Sequence, residues 1–288
     1  MNNPSDALVF AQRTRLGSPT RCLQCPQMPK LKRDESELPD TEHIESLARG
    51  LRLIEVFGAE RRPMTLSDVA KACGLPRATA RRILLTLQKS GFVTSDERLF
   101  ELTPRVLRLA SAYLASNQIS TLLQPAMDLV SDKAKEVCSL AIWDGDDAVF
   151  VARSSPARVF SAGIDLGYRL PLFCTSVGRV LLGRLGNDDL AATIDRMTLT
   201  KQTDTTLIDK PTLVATIIAD RTKGYSLVDC EAEPAFRSIA VPVRRYDGMI
   251  VAAANIGAHV DRITTGEMID RFLPPLKRMA EDVRPLVM

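Results

Sequence analysis

The chain has 288 residues, 45% of them hydrophobic and 25% charged, with a formal net charge of +3. That length holds two domains with cores of their own, and the composition is ordinary for a soluble globular protein. No run of about 18 apolar residues is present, which excludes a transmembrane helix, and the start lacks a basic stretch ahead of an apolar one, so no secretion leader is expected.

Residues 1–40 hold Pro4, Pro19, Pro26, Pro29 and Pro39 among mixed charges with no helical or strand period, and read as a disordered tail. Cys22-Leu-Gln-Cys25 has zinc or redox spacing, but no second pair and no nearby His completes a site, so no metal is expected. The remaining cysteines, Cys73, Cys138, Cys174 and Cys230, are scattered through apolar segments, as buried reduced thiols of a cytoplasmic protein would be. From Ile44 the pattern turns helical. Ile44, Leu47, Leu51, Ile54 and Phe57 mark one apolar face ending at Gly58, and that face is expected to pack on the two helices that follow.

Residues 65–92 predict a helix-turn-helix. Thr65, or alternatively Ser67, caps a first helix whose Leu66, Val69 and Ala70 turn inward. Gly74 sits where the turn needs a positive φ, and Pro76 suits the first turn of the second helix. Ala80, Ile83, Leu84 and Leu87 form the buried stripe of that helix, and Gly91 ends it. Arg77, Ala78, Arg81 and Arg82 remain on the opposite face of its N-terminal half, the half that meets base edges in the major groove. Residues 61–92 carry a net +6, so the basic charge is concentrated as a phosphate-binding surface requires. The plainer reading is a solvated helical hairpin with an arginine face. Two β-prone runs, 92–94 and 99–102, flank the turn segment 95–98, which adds a wing with Arg98 at its tip. The DNA-contact candidates are therefore Thr65, Ser67, Arg77, Ala78, Thr79, Arg81, Arg82 and Arg98.

A linker helix is expected over about 104–117, with Val106, Leu107, Ala110 and Leu114 apolar and free to pair with a twin in a dimer. Beyond it, helices are expected at 121–136, 175–185, 188–197 and 210–223, and from 265 onward with an interruption or a kink at Pro274-Pro275. Strands are expected at 138–143, 148–153, 159–164, 225–229, 237–244 and 249–256, with Asp144-Gly145 and Asp247-Gly248 as hairpin turns. Mixed hairpins and helices give an α+β domain around an antiparallel sheet. The organisation is a tail over 1–40, a winged helix-turn-helix over 41–103, a linker helix over 104–119 and a second domain over 120–288.

Four segments in order resemble the IclR family of bacterial transcription regulators: 44–51 at the entry helix, 75–82 at the recognition helix, Leu170-Pro171-Leu172-Phe173-Cys174-Thr175-Ser176-Val177-Gly178-Arg179-Val180-Leu181-Leu182 and Glu233-Pro234-Ala235-Phe236-Arg237-Ser238-Ile239-Ala240-Val241-Pro242-Val243. The first and third look most like the branch regulating protocatechuate, 4-hydroxybenzoate and β-ketoadipate catabolism. The resemblance implies a C-terminal GAF-like effector domain, homodimers or homotetramers on palindromic double-stranded DNA, and a small organic or aromatic acid as effector.

A small carboxylate needs a polar anchor inside an apolar pocket. The segment 174–178 opens a helix, where unsatisfied backbone N–H groups favour an anion. The resemblance places effector contacts at Leu170, Ser176 and Val177, at Phe236 and Ser238, and at Asn255 and Gly257. Arg169 and Arg237 would add charge, and Phe173 and Phe236 would hold an aromatic ring. Beside these stand plainer roles: Thr175 and Ser176 as helix caps, Asn255 satisfying backbone groups, Arg237 paired with Glu231 or Glu233. Val228 stands where some family members place an acidic contact, and Asn255 and Gly257 where serines are common.

An enzyme is not expected, and no cofactor. The two histidines, His43 and His259, lie far apart in sequence, and no nucleophile elbow, phosphate-binding loop or His-rich cluster is present. Glu231 and Glu233 read as loop salt-bridge partners. The alternative to a DNA-binding regulator is a small-molecule sensor or adaptor whose winged helix mediates protein contacts.

Overall fold

The computed structural model describes residues 43–60, 62–116, 118–156 and 166–287. The stretch 1–40, the Cys22/Cys25 pair, Arg61 and the strand expected over 159–164 lie outside these described residues.

The first unit is built from α1 (Glu45–Glu60), β1 (Met64–Thr65), α2 (Leu66–Cys73), α3 (Arg77–Lys89), β2 (Val93–Ser95) and β3 (Leu99–Leu102). The wing is a three-stranded antiparallel sheet in the order β1-β3-β2. β1 has two residues, too few to show a period, and was not foreseen. Leu53, Phe57, Met64, Val69, Cys73, Leu84 and Val93 form the core. The expected inner face of α1 is corrected by this packing. Ile44, Leu47 and Leu51 are 64%, 58% and 50% exposed, whereas Leu53, outside the expected face, is fully buried; Phe57, which belongs to that face, is buried as expected. The helix carries two apolar stripes. Helices α2 and α3 meet only the second, which the period alone could not rank.

A 3-10 turn at Pro104–Val106 leads into α4 (Leu107–Ser116), which buries none of its residues. The second unit then runs α5 (Ile119–Ala134), β4 (Cys138–Asp144), β5 (Asp147–Ser154), β6 (Arg169–Pro171), α6 (Ser176–Leu182), α7 (Asn187–Arg196), α8 (Lys210–Lys223), β7 (Ser226–Asp229), β8 (Phe236–Arg244), β9 (Ile250–His259) and α9 (Thr265–Val283). Its six strands form one antiparallel sheet in the order β6-β5-β4-β9-β8-β7. This is the α+β class expected.

Strand alternation gives the sheet two buried faces. Ile239, Val241 and Val243 of β8, with Ala252, Ala254 and Ile256 of β9, pack under α5 and α9. Ala240 and Ala253 point the other way, into the layer of α6, α7 and α8. Small residues on that second face let α6 lie close to the strands. Pro242 falls two residues past the last β7 partner, Ala240 opposite Ser226, where a missing N–H breaks no ladder bond to β7. Helix α9 continues through Pro274 and Pro275 rather than breaking, with Phe272, Leu273 and Leu276 buried on both sides of them.

Candidate functional site

The helix-turn-helix is held by local bonds. The Thr65 hydroxyl accepts the Asp68 N–H at 3.2 Å, and the Asp68 carboxylate accepts the Thr65 N–H at 3.1 Å. This capping box fixes the start of α2 and assigns the cap to Thr65; Ser67 stays exposed. The Thr65 hydroxyl, which also donates to the Asp68 carboxylate at 2.9 Å, and then the Thr65 N–H, aided by Arg62, hold the Asp68 carboxyl below its ordinary range. Gly74 ends α2 at φ 63°, and Gly91 follows α3 at φ 76°. Pro76 is the N-cap of α3 rather than its first helical residue. Arg77, Ala78, Arg81, Arg82 and Arg98 are exposed and Thr79 is half-buried. Arg62 is spent on Glu60 and Asp68, but among the described residues none of the four arginines Arg77, Arg81, Arg82 and Arg98 has a salt-bridge partner, so their charge faces solvent.

At the far edge of the wing, Thr103 donates its hydroxyl to the Gly91 carbonyl at 2.5 Å, and Arg105 lies 5.4 Å over the Phe92 ring. These contacts tie the end of the reading helix to the start of the linker.

In the second unit Thr175, not Ser176, caps α6: its hydroxyl accepts the Gly178 N–H at 3.1 Å and donates to Pro171 O at 2.9 Å. Ser176 is thereby free to reach across to the sheet, and its hydroxyl lies 2.7 Å from that of Ser238. Gly178 lets the helix sit on the segment before it, since a Cβ there would fall 2.1 Å from Leu172 O. Ser238 is opposite Gly257 in the ladder. The Phe236 ring lies against Gly257, where a Cβ would be 2.4 Å from a ring carbon. Two pairs further along, Asn255 is 9% exposed and its Oδ1 has no hydrogen-bond partner. Thus Ser176, Phe236, Ser238, Asn255 and Gly257 come together on the α6 face of the sheet. Leu170 and Val177 do not bring polar atoms to it. Val177 is in the core, and Leu170 packs beside that core from the edge strand.

The expected arginines are corrected. Arg169 is bound to Asp144 and Asp147 at 2.7 and 3.0 Å, and Arg237 to Asp229 at 3.0 Å and Ile263 O at 2.9 Å. Both charges are consumed structurally, and Arg237 takes neither Glu231 nor Glu233. Glu231 instead pairs with buried Arg179 at 2.7 Å and accepts the Leu207 N–H at 2.9 Å. The cation that shares the sheet face with Asn255 is Arg153, which sequence reasoning missed. Register places Arg153 opposite Ser139, and Ser139 opposite Asn255. Its neighbour Ala152 faces the α5/α9 core, so alternation turns Arg153 to the α6 side. The available signal was a lone arginine closing an apolar strand run.

No group of three or more metal-binding side chains occurs among the described residues. No helix among them is long and apolar enough to cross a membrane.

A winged helix-turn-helix with a free arginine face, joined through an exposed helix to a domain with a part-buried polar cluster between helix and sheet, is the arrangement of a ligand-sensing DNA-binding regulator. Residues 46–97 match the family model described as the IclR helix-turn-helix domain, and residues 111–284 match the bacterial transcriptional regulator IclR C-terminal domain. The chain belongs to the IclR family of bacterial transcriptional regulators. It is 39% identical to the Pca regulon regulatory protein of Pseudomonas putida, over 88% of this chain and 87% of that one. A solved regulator from Rhodococcus sp. RHA1 is 40% identical with a TM-score of 0.74, covering 84% of this chain and 97% of that one. A double mutant of the PobR inducer-binding domain from Acinetobacter, solved with 3-hydroxybenzoic acid, is 32% identical with a TM-score of 0.56, covering 59% of this chain and 99% of that one.

Proposed function

We propose that the chain is a cytoplasmic regulator of genes for aromatic-acid breakdown, in the β-ketoadipate line, and that a hydroxybenzoate-like acid is its effector. The observation that carries this is the polar set buried under α6. The hydroxyls of Ser176 and Ser238 sit 2.7 Å apart, with an unsatisfied Asn255 Oδ1 two ladder pairs away. The two serine hydroxyls can turn from each other to donate to a carboxylate, and Asn255 Oδ1 can accept from a ring hydroxyl. Phe236 supplies a ring face, and Leu170 and Val177 the apolar wall. The likeness to the Pca regulator and to the PobR domain supports the same effector class.

Thr65, Ser67, Arg77, Ala78, Thr79, Arg81, Arg82 and Arg98 contact double-stranded DNA in this reading, with α3 in the major groove. A second copy covers the exposed apolar residues of α1 and α4, giving a homodimer, or a dimer of dimers, on a palindromic operator. The division at 41–103, 104–119 and 120–288 makes α4 the element between reading head and sensor. Effector binding would shift the DNA-competent arrangement with a coupling of about 1–3 kcal/mol.

The test is fluorescence anisotropy with DNA from upstream of the chain's own gene, over a salt series, with and without 4-hydroxybenzoate, protocatechuate and β-ketoadipate. Salt-sensitive, selective binding altered by one acid is expected, with Arg81→Ala and Arg82→Ala each losing about 1–3 kcal/mol at the operator. Ser238→Phe should abolish effector-induced stabilisation of a folded chain. Selective binding blind to all three acids overturns the effector class. Salt-insensitive binding without sequence preference overturns DNA regulation in favour of a protein-contact adaptor.

A further inference from the structure

A second concave site lies at the β7 edge of the sheet. β8 outruns β7, whose last partner pair is Ser226 with Ala240, so residues 241–244 have no strand beyond them. The space between this bare edge, the end of α8 and the last turns of α9 is a cavity of about 260 Å³. Gly224 and Pro242 line it, with Arg244, Lys277 and Arg284 from β8, α9 and the turn after α9. Val241 also lines it; Ser176, Ser238 and Asn255 do not, and Ser238 stands six residues back along β8 from Arg244.

The charge here is unbalanced. Glu281 is the one carboxylate residue in the lining. Among the described residues, neither it nor any other acid stands within salt-bridge distance of Arg244, Lys277 or Arg284. Arg244 donates to Gly248 O at 3.0 Å, and Lys277 approaches Lys223 O at 3.4 Å. By contrast, Arg169, Arg179 and Arg237 of this unit each hold a carboxylate, whereas half-buried Arg221 is held by the neutral oxygens of Leu185 and Asn187. Burial, and then the facing Arg284, push the Arg244 guanidinium below its ordinary pKa. Two like charges brought together with partial loss of water cost free energy unless an anion joins them. Pro242 lacks the N–H an added strand would need, and α9 walls one side, so the space suits a compact solute rather than a peptide.

We propose that this cavity binds a small multivalent anion, a di- or tricarboxylate or a phosphate compound, bridged by Arg244, Lys277 and Arg284. The proposal does not rest on the effector reading. It places a second ligand site at the opposite end of β8 from Phe236 and Ser238, tying that strand to α9.

The experiment is calorimetric titration of the full chain with citrate and, separately, pyrophosphate, at ionic strength held constant with sodium chloride. Saturable binding of one anion per chain is expected. Citrate alone would assign the carboxylate class, pyrophosphate alone the phosphate class. Lys277→Gln and Arg284→Gln should each weaken binding about tenfold, the worth of one charge-assisted hydrogen bond. Arg278→Gln, exposed on the same helix and outside the lining, should bind as the parent does. Without anion, Arg284→Gln should raise the thermal midpoint by relieving Arg244. Binding of neither anion, or an equal loss in Arg278→Gln, or no loss in the two cavity variants, overturns the proposal.

Discussion

Removing one charge from the Arg179–Glu231 pair should destabilise the sensory domain far more than a surface salt bridge would. Arg179 is 3% exposed and Glu231 13%, with 2.7 Å between them. Arg179 also donates to Phe173 O at 2.9 Å, and Glu231 also accepts from Leu207 N. The pair thus joins α6 to the loop ahead of β8 and to the segment before α8. Breaking a buried pair by removing one partner costs about 3–5 kcal/mol, because the survivor is left charged without water. Glu231→Gln keeps an oxygen for Leu207 and leaves Arg179 its carbonyl, so about 3 kcal/mol is expected. Arg179→Met strands both Glu231 and the Phe173 carbonyl and belongs higher in that range. The double variant should lose less than the sum of the two, by about 0.5–3 kcal/mol. Urea unfolding followed by Trp143 fluorescence reads this domain, since Trp143 is the single tryptophan of the chain and lies in β4. A loss below about 1 kcal/mol for Glu231→Gln, the range of exposed pairs, would refute the reasoning.

Gly178→Ala and Gly257→Ala make a contrasting pair. The first drives a Cβ to 2.1 Å from the Leu172 carbonyl oxygen, and backbone cannot yield, so a loss of about 1–3 kcal/mol or more is expected in the same urea assay. The second meets only the Phe236 ring, which can swing; stability should change less and 4-hydroxybenzoate-induced thermal stabilisation more, and the reverse order would refute the site. Leu53→Ala should cost about 2–5 kcal/mol by emptying the core under α1, whereas Leu47→Ala should leave monomer stability nearly unchanged; equal losses would restore the other face of α1. Burial pushes the Cys138 and Cys174 thiols up to about 12, so iodoacetamide on the native chain should label half-exposed Cys230 ahead of Cys73, Cys138 and Cys174; peptide mapping showing equal rates would contradict that burial.

The reading head was legible from sequence because its determinants lie within a few residues of one another. The Thr65–Asp68 capping box, the positive φ at Gly74 and the Ala80/Leu84 stripe are all local, and a turn of helix needs nothing from afar. The strands flanking the Gly145 and Gly248 turns were legible for the same reason. β1 and β6, with two and three residues, exist only because a neighbouring strand offers them a ladder, and no local pattern announces that.

Tertiary structure alone decided which face each element shows. It turned Leu53 inward and left Ile44, Leu47 and Leu51 exposed. It consumed Arg169 and Arg237 in ion pairs, buried Arg179 against Glu231, and brought Ser176 to Ser238 across 62 residues of chain. Residue type and spacing set what a segment can form, because helix and turn energies are short-ranged. Which side chain is left to meet a ligand is settled only when strand register and helix packing have decided which charges are already paired and which surfaces are already covered.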